Sequence, residues 1–494
     1  MAAGDGHGSA REGVPALDEG RDKDVPPDRL SPEARAFAGD EFRLRSEPGA
    51  PEEKAATDSS GEAPAEADPR AERVKARTAA PRPARQTRRR STSSPKRPPG
   101  PEPAAPDPPH VLIVGGGGTG GALAHDLSLR GLRVTLVERH ELTSGATGRH
   151  QGLLHSGARY ATSDRATAIE CSAENKILRR IAPGSFEEND GLFVAVTDDD
   201  ADFEEQFVEA CWQCAVPTRR IDRVRALRLE PGLNPELRLA VQVPDATMDA
   251  MRLPLRFFAT ARRNGADIRP FTEVLAVTKA GRSIRGVAVR DHAAGRDYEI
   301  GADIVVNATG PWAGKVAALA GVTVAVAPSA GVMVAVRGRH ANMVVNRLHA
   351  PGDGDLVVPQ RRQTILGISS WPVDDPDDIA VPVDHVETVM DEATALLPSL
   401  RGAEVRAVWS AARQVIGGAR AGDGSGPARE VQCIDHALEA SRIEGFVTVA
   451  GGMTTTARAT AQSAADLVCR KLGVDRPCTT SEVTLLPHTA WYAR

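Results

Sequence analysis

One stretch, "HVLIVGGGGTGGALAHDLSLRGLRVTLVER" from His110 to Arg139, limits what this chain can fold into more than any other. An apolar run, Val111 to Val114, leads straight into Gly115-Gly116-Gly117-Gly118-Thr119-Gly120. A buried strand that opens through G-x-G-x-x-G into a helix is the start of a dinucleotide-binding unit. Gly115 permits the tight turn, Gly117 lets the backbone approach a pyrophosphate, and Gly120 lets the helix pack close to the strand. The helix start offers free N–H groups and a positive dipole end to the phosphates. The helix is expected to run to about Arg130 and to stop at Gly131, after which Val134 to Val137 form a second strand ending in Glu138. A carboxylate there can accept both ribose hydroxyls and would repel a 2′-phosphate, which argues against NADP. Strand, motif, helix, strand and acid in this order set the segment apart from a plain glycine-rich turn.

The residues after Glu138 choose between the possible dinucleotides. A nicotinamide dehydrogenase would continue alternating strands and helices, whereas this chain continues with the polar, small-residue loop "RHELTSGATGRHQGLLHSGARY". Such a loop can lie extended beside the ribityl and flavin portion of FAD. Two distant segments supply further strands and turns: "ADIVVNATGPWAG", ending in Asn307-Ala308-Thr309-Gly310, and "GFVTVAGGMTTTARATAQSAADLVCRKLG", a strand, a Gly451-Gly452 turn and a helix closed by Gly473. That last helix start would aim its positive end at the flavin pyrimidine edge, where negative charge develops on reduction.

Composition divides the chain. Residues 1–108 are dominated by Ala, Pro, Glu, Asp, Arg and Ser, with Phe37 and Phe42 as their only aromatics. Such a stretch cannot bury enough apolar surface to offset the entropy of ordering it, so a disordered tail is expected. Its second half is basic, which suits either attraction to anionic lipid or nucleic acid or a solvated linker; the linker is preferred and no nucleic-acid partner is expected. Arg88 to Arg90 are not followed by an apolar stretch, which argues against an export signal. No window of about 18 or more uninterrupted apolar residues exists, so any membrane contact would be peripheral. The six cysteines (Cys171, Cys211, Cys214, Cys433, Cys469 and Cys478) are sparse and fit a reducing, cytoplasmic setting. Cys211 and Cys214 form the only C-x-x-C, without a second pair to complete a metal site, and read as structural thiols on a helix.

From about His110 to Cys478 the chain resembles the catalytic subunit of anaerobic, respiratory glycerol-3-phosphate dehydrogenase, within the D-amino-acid-oxidase-like FAD superfamily. The matching segments are "VERHELTSGATGR", "GLLHSGARYA", "ECSAENKILRRIAP", "PDATMDAMRL", "NATGPWAG", polar sequence around Gly422 to Gly426, and "VCRKLGVDRPCTTSEV". The resemblance implies an α/β fold class: a discontinuous, Rossmann-like FAD-binding domain with an α+β, antiparallel-sheet substrate domain. The FAD-binding parts are expected near 109–200, 240–315 and 400–475, the substrate domain mainly near 201–239 and 316–399, and a C-terminal tail at 476–494. Short alternating runs over residues 321–371 fit an antiparallel sheet with one exposed face.

The resemblance also implies a reaction, in which glycerol 3-phosphate gives its C2 hydride to flavin and electrons pass on to quinone or a partner subunit, on the inner face of the cell membrane or in the cytoplasm. Candidate cofactor contacts are Gly115, Gly117, Gly120, Glu138 and Arg139, then Ser144, Gly145, Thr147 and Gly152, then Val274 and Gly310, and finally Gly451, Gly452 and Thr454. His155, Arg159 and Tyr160 occupy the family's H-x-G-x-R-Y positions, with His155 expected to receive or relay the hydroxyl proton or else to hydrogen-bond the flavin, and Arg159 and Tyr160 expected to bind the substrate. Arg413 and Arg429 stand where the family has active-site arginines, suited to binding a phosphate or carboxylate. Met453 and Ala330 stand where the family carries lysines. Burying a phosphate dianion beside fewer cations costs desolvation, so a less charged 2-hydroxy acid, polyol or amine is the alternative substrate, and a flavin-binding subunit without catalysis is a third reading.

Overall fold

The computed structural model describes residues 107–352, 354–416 and 431–493. The expected disorder of the N-terminal segment falls outside these but for its last two residues, and so do Arg429 and the polar sequence around Gly422 to Gly426.

The glycine-rich unit folds as its sequence dictates: β1 (His110–Val114), α1 (Gly118–Leu129) and β2 (Arg133–Val137), with Gly131 at a φ of +75° turning the chain out of the helix. β1 pairs in parallel with β2 on one side and with Ile304–Asn307 on the other. Phe446–Ala450 follows beyond Ile304–Asn307, Asp267–Arg269 lies beyond β2, and Gln432–Asp435 closes one edge antiparallel. Both faces of this six-stranded sheet are covered. Val111 and Ile113 pack with residues of α1, Arg252–Arg263 and Ala457–Leu472, while Leu112 and Val114 pack against Val277, Val287, Val289 and Ile300 of a three-stranded antiparallel sheet. A strand buried on both faces is apolar at every position, which is why "VLIV" reads as a continuous run. The chain leaves β1 for β2 and returns to Ile304–Asn307 on the opposite side, and crevices for ligands form at such a reversal, at the carboxyl ends of the strands.

A second, nine-stranded sheet carries Val326–Arg337 next to one edge, paired along its length with Val405–Ile416 and on its other side with Gln363–Gly367 and Trp371–Pro372. It continues through Leu356–Gln360, Val344–Arg347, Gly191–Ala195, Leu239–Val243 and Arg219–Asp222. All these pairs are antiparallel except Val344–Arg347 with Gly191–Ala195. The expectation of one exposed face needs correcting. Val332, Val334 and Val336 pack beneath the helix Val383–Leu396, while Met333 and Ala335 pack with Leu153, Leu356 and Val358 on the other side, so this strand is buried on both faces.

Segment boundaries differ too. Gly191–Ala195 and Val405–Ile416, expected among the cofactor-binding parts, are strands of the large sheet. Nothing local in either segment reveals which of two sheets recruits it. The C-terminal segment is not a tail: Leu485 is buried, Arg256 Nη2 donates to Leu485 O (2.9 Å), and Trp491 packs by Phe258 with the Arg262 guanidinium 4.4 Å over its ring.

Candidate active site

A cleft of about 1440 Å³ lies between the carboxyl ends of the parallel strands and the large sheet. At its base Gly115 has a φ of +115°, and a Cβ there would sit 2.6 Å from Ala308 O. A Cβ on Gly120 would lie 2.0 Å from Gly115 O, so Gly120 serves helix–strand packing and does not line the cleft. Gly117, the residue before α1, makes no side-chain cap, and the first helical turn holds no acid, which leaves the dipole's positive end uncompensated toward the cleft. Gly118 N donates to Thr147 Oγ1 (3.0 Å), tying the loop after β2 to this turn. Both oxygens of Glu138 accept backbone N–H groups, from Gly116 at 2.7 Å and His140 at 2.9 Å, which hold the carboxylate in place and leave lone pairs for a diol.

Arg139 pairs with Asp377 and lies 5.0 Å over the Trp312 ring, which in turn abuts Gly145. Asp377 also accepts from Trp312 Nε1 (2.8 Å) and Lys315 Nζ (2.8 Å), and Lys315 reaches Asp375 at 2.6 Å. The loop 373–378 of the large sheet is thus fastened to the cofactor side of the cleft. Ser144, Val274, Gly310, Gly451, Gly452 and Thr454 all line the cleft. Gly152 does not: its carbonyl accepts from Met248 N, and a Cβ there would meet Gln360 and Met248.

Toward the large sheet, His155 and Tyr160 stand together, with Tyr160 Oη 3.4 Å from His155 Nε2 and ring centres 5.1 Å apart. His155 N donates to Thr455 Oγ1 (3.2 Å) and its carbonyl accepts from Asn175 Nδ2 (3.1 Å), so the backbone beneath the imidazole is fixed from two elements. Arg159 lines the cleft but is committed: Nη2 donates to Asp355 Oδ1 (2.6 Å) and to Gly352 O (3.1 Å). Burial alone would lower the pKa of Arg159, yet Asp355 outweighs it and the group is raised, so it stays charged with its counter-ion beside it. Arg413, on Val405–Ile416, donates to Ser370 Oγ (2.7 Å). Met453 lines the cleft with its Sδ 3.7 Å from Cys171 Sγ, whereas Ala330 is fully buried and does not line it.

The sequence thus places most of the lining, and misses the clasp around Asp377, the Arg159 counter-ion Asp355, and Gln414, whose Nε2 donates to Gly451 O (2.6 Å). Trp312 is within reach of sequence reasoning, two residues past Gly310 in "NATGPW"; Asp355 and Asp377 carry no local signal, because distant strands bring them to the site. Cys211 and Cys214 are buried, burial pushes Cys211 up and Cys214 to about 11, and no group of three or more metal-ligating side chains exists among the described residues.

A long, two-part cofactor suits this cleft. Glycine turns that any Cβ would obstruct meet an acid placed for a ribose, and His150 Nε2 and Gln414 Oε1, on residues lining the cleft, are buried without a protein partner among the described residues. The profile of the DAO family, FAD dependent oxidoreductase, matches residues 110–467. The chain belongs to that family of FAD-dependent oxidoreductases. FAD is therefore its cofactor. This oxidoreductase is 39% identical over 377 residues to one of the subunits of the anaerobic glycerol-3-phosphate dehydrogenase of Escherichia coli (strain K12), covering 76% of this chain and 69% of that one. It is also 39% identical over 387 residues to a subunit of the enzyme of the same name in Haloferax volcanii, covering 76% and 66%. In fold it is similar to L-proline dehydrogenase from P. horikoshii (TM-score 0.61, 22% identity, 74% of this chain and 94% of that one). The glycerol-3-phosphate dehydrogenase from Bacillus halodurans is similar as well (TM-score 0.58, 22% identity, 76% and 68%). No helix among the described residues is long and apolar enough to cross a membrane.

Proposed function

We propose that this oxidoreductase oxidises glycerol 3-phosphate to dihydroxyacetone phosphate. The observation that carries the reading is the convergence on one cleft of the His155–Tyr160 pair and Arg413. Its relatives at 39% identity bear that activity in their names. Bound FAD supplies a two-electron acceptor, to which the substrate's C2 hydride passes while the C2 hydroxyl loses its proton. His155 takes that proton, steadied by Tyr160 Oη at 3.4 Å from its Nε2. Arg413 binds the phosphate with Ser370 beside it, and its planar fork can make two parallel hydrogen bonds. Arg159 shapes the wall of the substrate end through Asp355 and Gly352, and Arg429 is assigned to the phosphate on sequence alone. The six-stranded sheet and its helices form the FAD-binding domain, and the nine-stranded sheet forms the substrate domain. Electrons leave to a partner subunit or quinone, and the basic stretch before His110 is read first as a solvated linker, with peripheral attachment at an anionic membrane face as its alternative.

One observation favours a second reading. Arg159 is matched by Asp355, and Met453 contributes no charge, so the substrate end is less cationic than its sequence relatives suggest. A 2-hydroxy acid bound through a single carboxylate by Arg413 would fit that balance. Anaerobic addition of glycerol 3-phosphate, glycerol and a panel of 2-hydroxy acids to the FAD-loaded protein separates the readings. Bleaching of the flavin absorption by glycerol 3-phosphate, with KM raised about 100-fold or more in Arg413→Ala, is expected. Bleaching only by another donor would replace the substrate, and bleaching by none would leave a flavin-binding protein without this catalysis.

A further inference from the structure

His150 follows the short helical turn Ala146–Arg149 in the loop after β2 and lines the cleft. Its Nδ1 accepts from Gly152 N at 2.9 Å, so the proton of the neutral ring sits on Nε2. Nε2 is buried and has no partner among the described residues. A buried donor without an acceptor is costly, and a loop that spends a backbone N–H to fix the ring's tautomer leaves that donor in a defined orientation. The loop runs from Glu138, at the ribose end, to His155, at the substrate end, and His150 is nearer in sequence to His155.

We propose that His150 is a further hydrogen-bond donor of the cofactor site, giving its Nε2–H to an electron-rich atom of the bound isoalloxazine. Gly152, which does not line the cleft, contributes to this role through the backbone N–H that it gives to His150 Nδ1. Burial, against a weaker pull from Asp249, pushes the ring down to about 4, so at neutral pH the donor is an uncharged N–H. A neutral donor binds oxidised flavin modestly and binds the negative charge that builds on reduction more strongly, because hydrogen bonds to an ionised acceptor are roughly twice as strong. The consequence is a raised reduction potential, obtained without a buried cation.

The proposal rests on the FAD assignment and not on the substrate, and its test needs no substrate. The midpoint potential of the FAD-loaded full chain is measured by slow enzymatic reduction against reference dyes, for the parent, His150→Phe and His150→Gln. The Phe variant is expected to lower the equilibrium constant for two-electron reduction about tenfold, about 30 mV. The Gln variant, which keeps an N–H, is expected to recover most of that loss. An unchanged potential in His150→Phe, or equal shifts in both variants, would overturn the proposal, the second by assigning the effect to ring packing. Should His150→Phe not retain FAD, His150→Leu takes its place against His150→Gln, and equal potentials in that pair overturn the proposal in the same way.

Discussion

At the scale of single residues, two histidines with depressed pKa values have different consequences. His150 has one nitrogen satisfied and borders the cleft, whereas His125 on α1 is fully buried beside Phe257 with both ring nitrogens unpartnered among the described residues. Burial lowers His125 from 6.5 to about 4. Because the folded value lies below the unfolded one, an unfolded chain takes up a proton that the folded chain refuses. Stability from this residue is therefore unaffected above about pH 6.5 and is lost as pH falls from there toward 4, by up to about 3 kcal/mol. His125→Leu should keep the fold and flatten that acid loss. Urea unfolding at pH 7.5 and pH 5 checks it; an equal pH 5 deficit in both proteins would show that His125 is not the source.

At the scale of elements, the loop 373–378 does what neither sheet does alone. Asp377 collects Arg139, Trp312 and Lys315 from the cofactor side, and these partners hold its carboxyl down at about 2 although partial burial pushes the other way. Single exposed ion pairs contribute little, but this network joins the large sheet's loop to Arg139, Trp312 and Lys315 at the lining of the cleft. Asp377→Ala is expected to speed FAD release several-fold, and the parent's release should quicken with salt more than the variant's. Following the recovery of flavin fluorescence after dilution measures both; identical release rates would mean that the clasp does not gate the cofactor.

Across the whole molecule, the C-terminal segment closes the helical face of the cofactor layer. Leu485 N donates to Ile181 O, Arg130 Nη1 to Arg476 O, and Arg262 to the carbonyls of Ala490 and Trp491. Removing residues 476–494 would take acceptors from two buried arginines, Arg130 and Arg256, and expose the pocket of Leu485, at a cost of several kcal/mol. A drop in Tm of about 5 °C or more in the FAD-loaded protein is expected. An unchanged Tm would make the segment dispensable.

The glycine-rich unit is legible because its determinants are local. Gly115, Gly120 and the acid at Glu138 act within some thirty residues, and an apolar run flanked by a tight turn can only be a buried strand there. Most of the cleft lining, from Ser144 to Thr454, follows from the family resemblance for the same reason, since it sits on turns that announce themselves by glycine and small residues. Sheet membership of Gly191–Ala195 and Val405–Ile416 is not legible, because strand pairing depends on partners distant in the chain. The charge state of the substrate end is likewise undecided until the chain folds. In sequence Arg159 reads as a substrate-binding residue, and only the arrival of Asp355 from the far sheet turns it into half of a buried ion pair, because electrostatics are set by distance in space and not by distance along the chain.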